Sequence, residues 1–204
     1  MSVYIEYISR RSGVALNGFH AIAGPGQGRW AGQYPEDRLI LNIGRTWRLG
    51  PEPEYLAVWH TPGKGVERLG EWEEIFGSGE ASHIEDPFDA VGRIDVAGFY
   101  EPFLDPVRGS GPVYYAEYFD WAADATVGGV RSFFEKRRSA HSGLVLNLAA
   151  DRIGKLGPDP RGVAFWQLPS YRELGPVARE LDGPGSPIVL VRAGVYADIG
   201  QEIL

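Results

Sequence analysis

The chain has no cysteine in 204 residues and one methionine, Met1. Disulfides, thiolate metal sites and cysteine nucleophiles are excluded together. It also lacks any apolar run approaching the ~20 residues that a membrane span requires, so no membrane partner is expected. Positive charge is in deficit, with 20 Lys and Arg against 27 Asp and Glu and a net charge of −7. Neutralising a phosphate backbone needs the opposite balance, which excludes nucleic acid as a partner. The strand-like stretch Arg161 to Leu168 carries no ring at Val163 or Leu168 for stacking bases. The four histidines, His20, His60, His83 and His141, stand in no HxH, HxxxH or HExxH relation. A dedicated metal site is not expected, and the loop with His83, Glu85, Asp86 and Asp89 reads as a solvated acidic loop. There is no GxSxG elbow, and the Gly-rich stretches at Gly24 to Gly28 and Gly63 to Gly65 lack the context of a dinucleotide or Walker loop. No basic stretch leads into an apolar one at Met1-Ser2-Val3, so a cytoplasmic protein without a secretory signal is expected.

What the chain does have is an internal echo. Leu39-Ile40-Leu41-Asn42-Ile43 returns as Leu144-Val145-Leu146-Asn147-Leu148, an offset of 105 at the asparagines (147 − 42). Tyr55 to Pro62, containing Trp59, returns as Gly162 to Pro169, containing Trp166, at 107 (166 − 59). Tyr4-Ile5-Glu6-Tyr7 recurs as Tyr115-Ala116-Glu117-Tyr118, and Ala97-Gly98-Phe99-Tyr100 as Ala193-Gly194-Val195-Tyr196. One supersecondary unit is written twice. The expected division is a first unit over 1–104, a linker over 105–112 and a second unit over 113–204.

Periodicity orders each unit βαββαβ. The first predicts strands at Val3 to Ile8, Leu39 to Trp47, Tyr55 to Thr61 and Arg93 to Tyr100. Its helices are predicted from Val14, where Leu16, Phe19, His20 and Ala23 share a face, and over Val66 to Phe76. The second predicts strands at Val113 to Phe119, Gly143 to Leu148, Val163 to Leu168 and Pro187 to Val195, with helices at Val127 to Ser139 and Tyr171 to Leu181. Such a unit is an antiparallel four-stranded sheet with both helices on one face. The bare face needs a cover, which the other copy can supply.

With this element order written twice, the whole chain resembles the dimeric α+β barrel superfamily in its tandem form, two ferredoxin-like units packed sheet to sheet. That superfamily includes cofactor-free monooxygenases, muconolactone isomerases, polyketide cyclases, EthD-like and NIPSNAP-like proteins, and haem enzymes such as chlorite dismutases and dye-decolourising peroxidases. The resemblance implies an α+β fold, an intrachain dimeric α+β barrel, with the pocket between the sheet and helices of a unit.

Six tryptophans, ten tyrosines and nine phenylalanines suit an apolar pocket with a few polar groups. The chemistry left is proton transfer by His, Glu, Asp or Tyr, so a cofactor-independent lyase or isomerase acting on a small hydrophobic metabolite is expected, as monomer or homodimer. Ring opening, isomerisation, cyclisation and dehydration all fit. The alternatives are a cofactor-free monooxygenase and a non-catalytic binding or stress-response protein. Candidate catalytic residues are His20, on the apolar helix face; His60, which follows Trp59 where the second copy has Gln167; and Glu6 with Tyr7, in mid-strand. Phe19, Trp59, Trp72 and Tyr100 are the expected substrate contacts. Because His60 and His20 lack histidine counterparts, the main pocket is expected in residues 1–100.

Overall fold

A computed structural model describes residues 2–24, 37–50, 54–61, 63, 67, 70, 87–141, 143–179 and 185–199. Trp72, most of the helix expected over 66–76 and most of the acidic loop lie outside them. Eight strands dominate: β1 (Ser2–Arg10), β2 (Arg38–Arg45), β3 (Tyr55–Thr61), β4 (Gly92–Pro102), β5 (Val113–Trp121), β6 (Val145–Arg152), β7 (Gly162–Leu168) and β8 (Ile188–Asp198). The described helices are fewer: α1 (Leu16–Ala23), α2 (Pro87–Val91), α3 (Val127–Ala140) and α4 (Leu174–Ala178), the last entered through a 3-10 turn at Tyr171–Glu173. The chain is thus a mixed α+β protein built on antiparallel sheet. No described helix is long and apolar enough to cross a membrane.

Two compact units interleave in sequence. The first comprises Met1–Gly44, Pro53–Tyr100 and Ile199–Leu204; the second comprises Arg45–Glu52 and Glu101–Asp198.

In the first unit β1 is central, pairing antiparallel with β3 on one side and β4 on the other, and β2 lies beyond β3. In the second, β5 is central between β7 and β8, with β6 beyond β7. The repetition reaches the irregularities. The β1–β4 register shifts between Tyr7 and Ile8, and β5–β8 shifts between Tyr118 and Phe119. Bulges also sit at Leu39/Leu41 in β2 and at Leu146/Leu148 in β6.

These bulges correct one pairing of the echo. Leu39 faces Trp59 and Leu146 faces Trp166, while Asn42 faces Ala57 and Ala149 faces Ala164. The structural offset is 107 throughout these strands, so Asn42 corresponds to Ala149 (149 − 42 = 107), not to Asn147. The two asparagines do different work. Asn42 Nδ2 donates to the Ala23 and Gly24 carbonyls at the end of α1, at 2.6 and 3.0 Å. Asn147 Nδ2 donates to the Val107 carbonyl at 2.8 Å and to Gln167 Oε1 at 2.9 Å.

Alternation along the strands sorts side chains to two faces. Between the helices and sheet of the second unit, Val130, Phe134 and Val177 from the helices meet Phe119 and Trp166 from the strands, all fully buried. Burying side chains of this size contributes roughly 1.5–3 kcal/mol each. The equivalent layer of the first unit gathers Ile8, Phe19, Tyr55, Ala57, Trp59, Val91 and Ile199. α1 differs from expectation in its orientation: Phe19 is its buried residue, while Leu16 is 52% exposed. A strict stripe through Leu16, Phe19 and Ala23 is too wide for an eight-residue helix resting chiefly on one ring.

Candidate functional site

The period of two along β1 sends Glu6 and Tyr7 to opposite faces of the sheet. Glu6 points to the helix side, where Trp59 Nε1 donates to Glu6 Oε2 at 3.0 Å with both residues buried. Tyr7 points to the other side, where its hydroxyl meets that of Tyr100 at 3.0 Å. Glu6 and Tyr7, each offered as an orienting partner for His20 or His60, are thus on opposite faces. His60 follows Trp59 and faces away from it, opposite Val3 and Arg38 in the ladders. Of the seven described site candidates, Glu6, Phe19, His20 and Trp59 belong to the helix side, and Tyr7, His60 and Tyr100 to the other. Trp72 lies outside the described residues.

His20 projects from the second turn of α1. Its ring stands edge-on to Tyr55 at 5.8 Å between centroids, and Phe19 packs on the same tyrosine at 4.3 Å. Tyr55 pairs with Ile8, one row along the sheet from the Glu6–Ala57 row. His20 Nε2 is buried with no hydrogen-bond partner among the described residues. Burial, helped by the Arg10 guanidinium, holds the imidazole below its ordinary value of 6.5 and so favours the neutral ring. Burial and the neighbouring Glu6 push the Tyr4 phenol well above its usual range. Tyr4 faces Trp59 across the β1–β3 ladder, so this layer holds a carboxyl, a protonated phenol and a neutral imidazole among aromatic walls.

The second unit repeats the carboxyl and indole, with Arg137 beside them. Trp166 Nε1 donates to Glu117 Oε2 at 3.1 Å, matching Trp59 and Glu6. Arg137 from α3 grips both carboxylate oxygens, Nη1 to Oε2 at 2.7 Å and Nη2 to Oε1 at 2.8 Å. The guanidinium also lies 4.7 Å from the Trp166 ring centre, and Nη2 donates to the Val177 carbonyl at 3.3 Å. Glu117 and Trp166 are fully buried and Arg137 nearly so. At the β1-to-β5 offset of 111 (117 − 6), the residue matching Arg137 is Gly26 (137 − 111). That contrast was available in the sequence but needed the helix offset, which the echo did not supply.

Gln167, the counterpart of His60, has a structural task. Its Oε1 accepts from Gly109 N at 2.7 Å and from Asn147, and its Nε2 donates to Gly111 O and to the Tyr114 hydroxyl. It ties the segment before β5 to the end of β7. The His60/Gln167 difference therefore records a tether in the second unit. His141 is the C-cap of α3, with its ring edge-on to Trp166 at 6.0 Å. No group of three or more potential metal ligands occurs among the described residues.

No protein-family profile matches the chain, and neither does any curated protein. Solved structures do. A candidate chlorite dismutase matches with TM-score 0.58 at 11% identity, over 98% of this chain and 96% of the other. A haem-binding protein from Thermus thermophilus matches with TM-score 0.55 at 10% identity, over 96% and 90%. A candidate monooxygenase from Lactobacillus acidophilus matches with TM-score 0.53 at 15% identity, over 98% and 97%. At these identities the likeness is one of fold along the whole length. The chain has the fold of the dimeric α+β barrel superfamily.

Proposed function

We propose that the protein is an enzyme acting on a small hydrophobic molecule by proton transfer, with its site in the helix–sheet layer of the first unit. The observation that carries this reading is His20: an imidazole kept neutral, with Nε2 buried and unsatisfied on an aromatic surface. A neutral imidazole in an apolar layer can take a proton from carbon α to a carbonyl. The C–H pair then moves into the carbonyl to give an enolate, and return of the proton to either end completes an isomerisation or exchange. Glu6, held by Trp59 one row away, supplies a second proton-transfer group. The lyase or isomerase chemistry belongs to this proposal, and so does the arrangement of two ferredoxin-like repeats as an intrachain barrel, which the matched registers and bulges support.

One structural neighbour is named as haem-binding, and the described residues of the second unit do not fit that group. In the second unit the Arg137–Glu117 pair, Phe134 and Trp166 fill the space between α3 and the sheet. The described layer of the second unit leaves no slot for a planar tetrapyrrole.

The test is α-proton exchange in D2O, followed by NMR, with phenylacetone and phenylpyruvate as probes. His20→Gln should slow exchange by ~10²–10⁴-fold, and His60→Ala, on the opposite face, should leave it unchanged. No exchange above the buffer rate with either probe, or full exchange in His20→Gln, would sink the reading.

A further inference from the structure

Tyr55 has a second neighbour. Arg10, the last residue of β1, lies two residues beyond Ile8, the partner of Tyr55, on the same face of the sheet, and donates from Nη1 to the Val14 carbonyl. Its Nε is buried and, like His20 Nε2, has no hydrogen-bond partner among the described residues. Two orphaned nitrogens from different elements thus border one phenol. Leaving a buried polar group unsatisfied costs roughly 1–3 kcal/mol, more for a charged one. Two such groups on one face of the described layer are open to a ligand.

We propose that Arg10, Tyr55 and His20 form a corner that binds the carboxylate of a small, largely apolar acid. The chemistry of the corner selects the ligand. Arg Nε–H only donates, and a guanidinium excludes cations. The Tyr55 hydroxyl, kept protonated by burial, donates as well, while His20 keeps its Nε2 lone pair for the proton transfer proposed above. Two donors and one positive charge match two carboxylate oxygens. A phosphate dianion would bring more charge and more acceptors than the corner can meet. The walls are Phe19, packed on Tyr55, and Ile199, whose side chain lies within 3 Å of the Cβ that any larger residue would bring to Gly44. An aromatic or branched aliphatic body therefore suits the ligand better than a polar one.

This assignment rests on the first-unit site proposed above and names its substrate class as acids rather than neutral carbonyl compounds. It also gives Arg10 a positioning role, fixing the acid so that its neighbouring carbon faces His20.

The test uses the full chain labelled with 15N at histidine, titrated with benzoate and separately with its neutral analogue benzamide. The His20 signals are identified by their loss in His20→Ala. Benzoate should shift the His20 imidazole resonances saturably, and benzamide should not. Arg10→Gln should weaken benzoate at least tenfold. Should Arg10→Gln fail to fold by near-ultraviolet circular dichroism, Arg10→Lys replaces it; it keeps the charge, removes the Nε donor and should also weaken benzoate. No saturable shift with benzoate, an equal response to benzamide, or unchanged affinity in the Arg10 variant would overturn the assignment. The two proposals fail separately: benzoate binding with full exchange activity in His20→Gln removes the catalytic reading alone. Loss of exchange in His20→Gln without benzoate binding removes the acid site alone.

Discussion

Glu6 and Glu117 occupy the same place in two copies of one strand, and each accepts from a tryptophan indole. On Glu117, α3 also brings Arg137 into a bidentate pair with almost no water. Removing one partner of such a pair strands a charge, whereas removing both leaves an apolar gap. Arg137→Leu should therefore lose roughly 3–5 kcal/mol in chemical denaturation. Glu117→Leu/Arg137→Leu should recover most of it, short by about 1–3 kcal/mol for the Trp166 indole left without its acceptor. A double variant no more stable than Arg137→Leu would show that the pair is not what the position requires. His20 gives the pH dependence. Its folded pKa lies below the 6.5 of the free side chain, so as pH falls through 6.5 the unfolded chain takes up a proton that the folded one resists. Stability should fall in that window and level off below the folded pKa. Native protein should thus lose more stability than His20→Gln between about pH 7.5 and pH 5.5. Equal losses would mean that the imidazole is not desolvated.

At the scale of elements, the sequence was legible where periodicity alone decides and misleading where two registers share a period. The strands and α3 fall close to their expected spans, since alternation and the 3.6-residue repeat report burial directly. The asparagine echo failed for a physical reason. Slipping a strand by two residues keeps every side chain on its face, so hydrophobic pattern cannot distinguish an offset of 105 from one of 107. Only the bulges decide, and nothing in Leu39-Ile40-Leu41 announces one. The matched arginines were the better signal. Arg45 donates to the Gly50 carbonyl and Arg152 to that of Gly157, both offset by 107. In α3 the Thr126 hydroxyl caps the first turn by accepting from Gly129 N at 3.1 Å, and a Cβ at Gly128 would meet nothing within 4 Å. Thr126→Ala should lose about 1 kcal/mol, and Gly128→Ala should gain about 0.5–1 kcal/mol by restricting the unfolded chain. Thermal denaturation of the pair reads both signs, and a destabilised Gly128→Ala would mean that the first turn is not helical in solution.

For the molecule as a whole, duplication could be read from four recurring stretches, because both copies kept the residues that set sheet pairing. The division of labour was only half legible: His20 stood out by lacking a counterpart, while Arg10 and Tyr55 looked like a strand end and a core ring. The same division bears on the haem-binding neighbour. His141 is the one described histidine of the second unit, and its ring lies edge-on to Trp166, beside a layer closed by Arg137, Phe134 and Val177. Ligating a haem iron there would require expelling a buried ion pair and several fully buried side chains, each worth kilocalories. Haemin titrated into the native chain and into His141→Ala should therefore give the same absorbance spectra and the same stoichiometry. If a stoichiometric Soret band in the native protein is lost in His141→Ala, the second unit opens to admit a cofactor, and its packed layer is only one of its states.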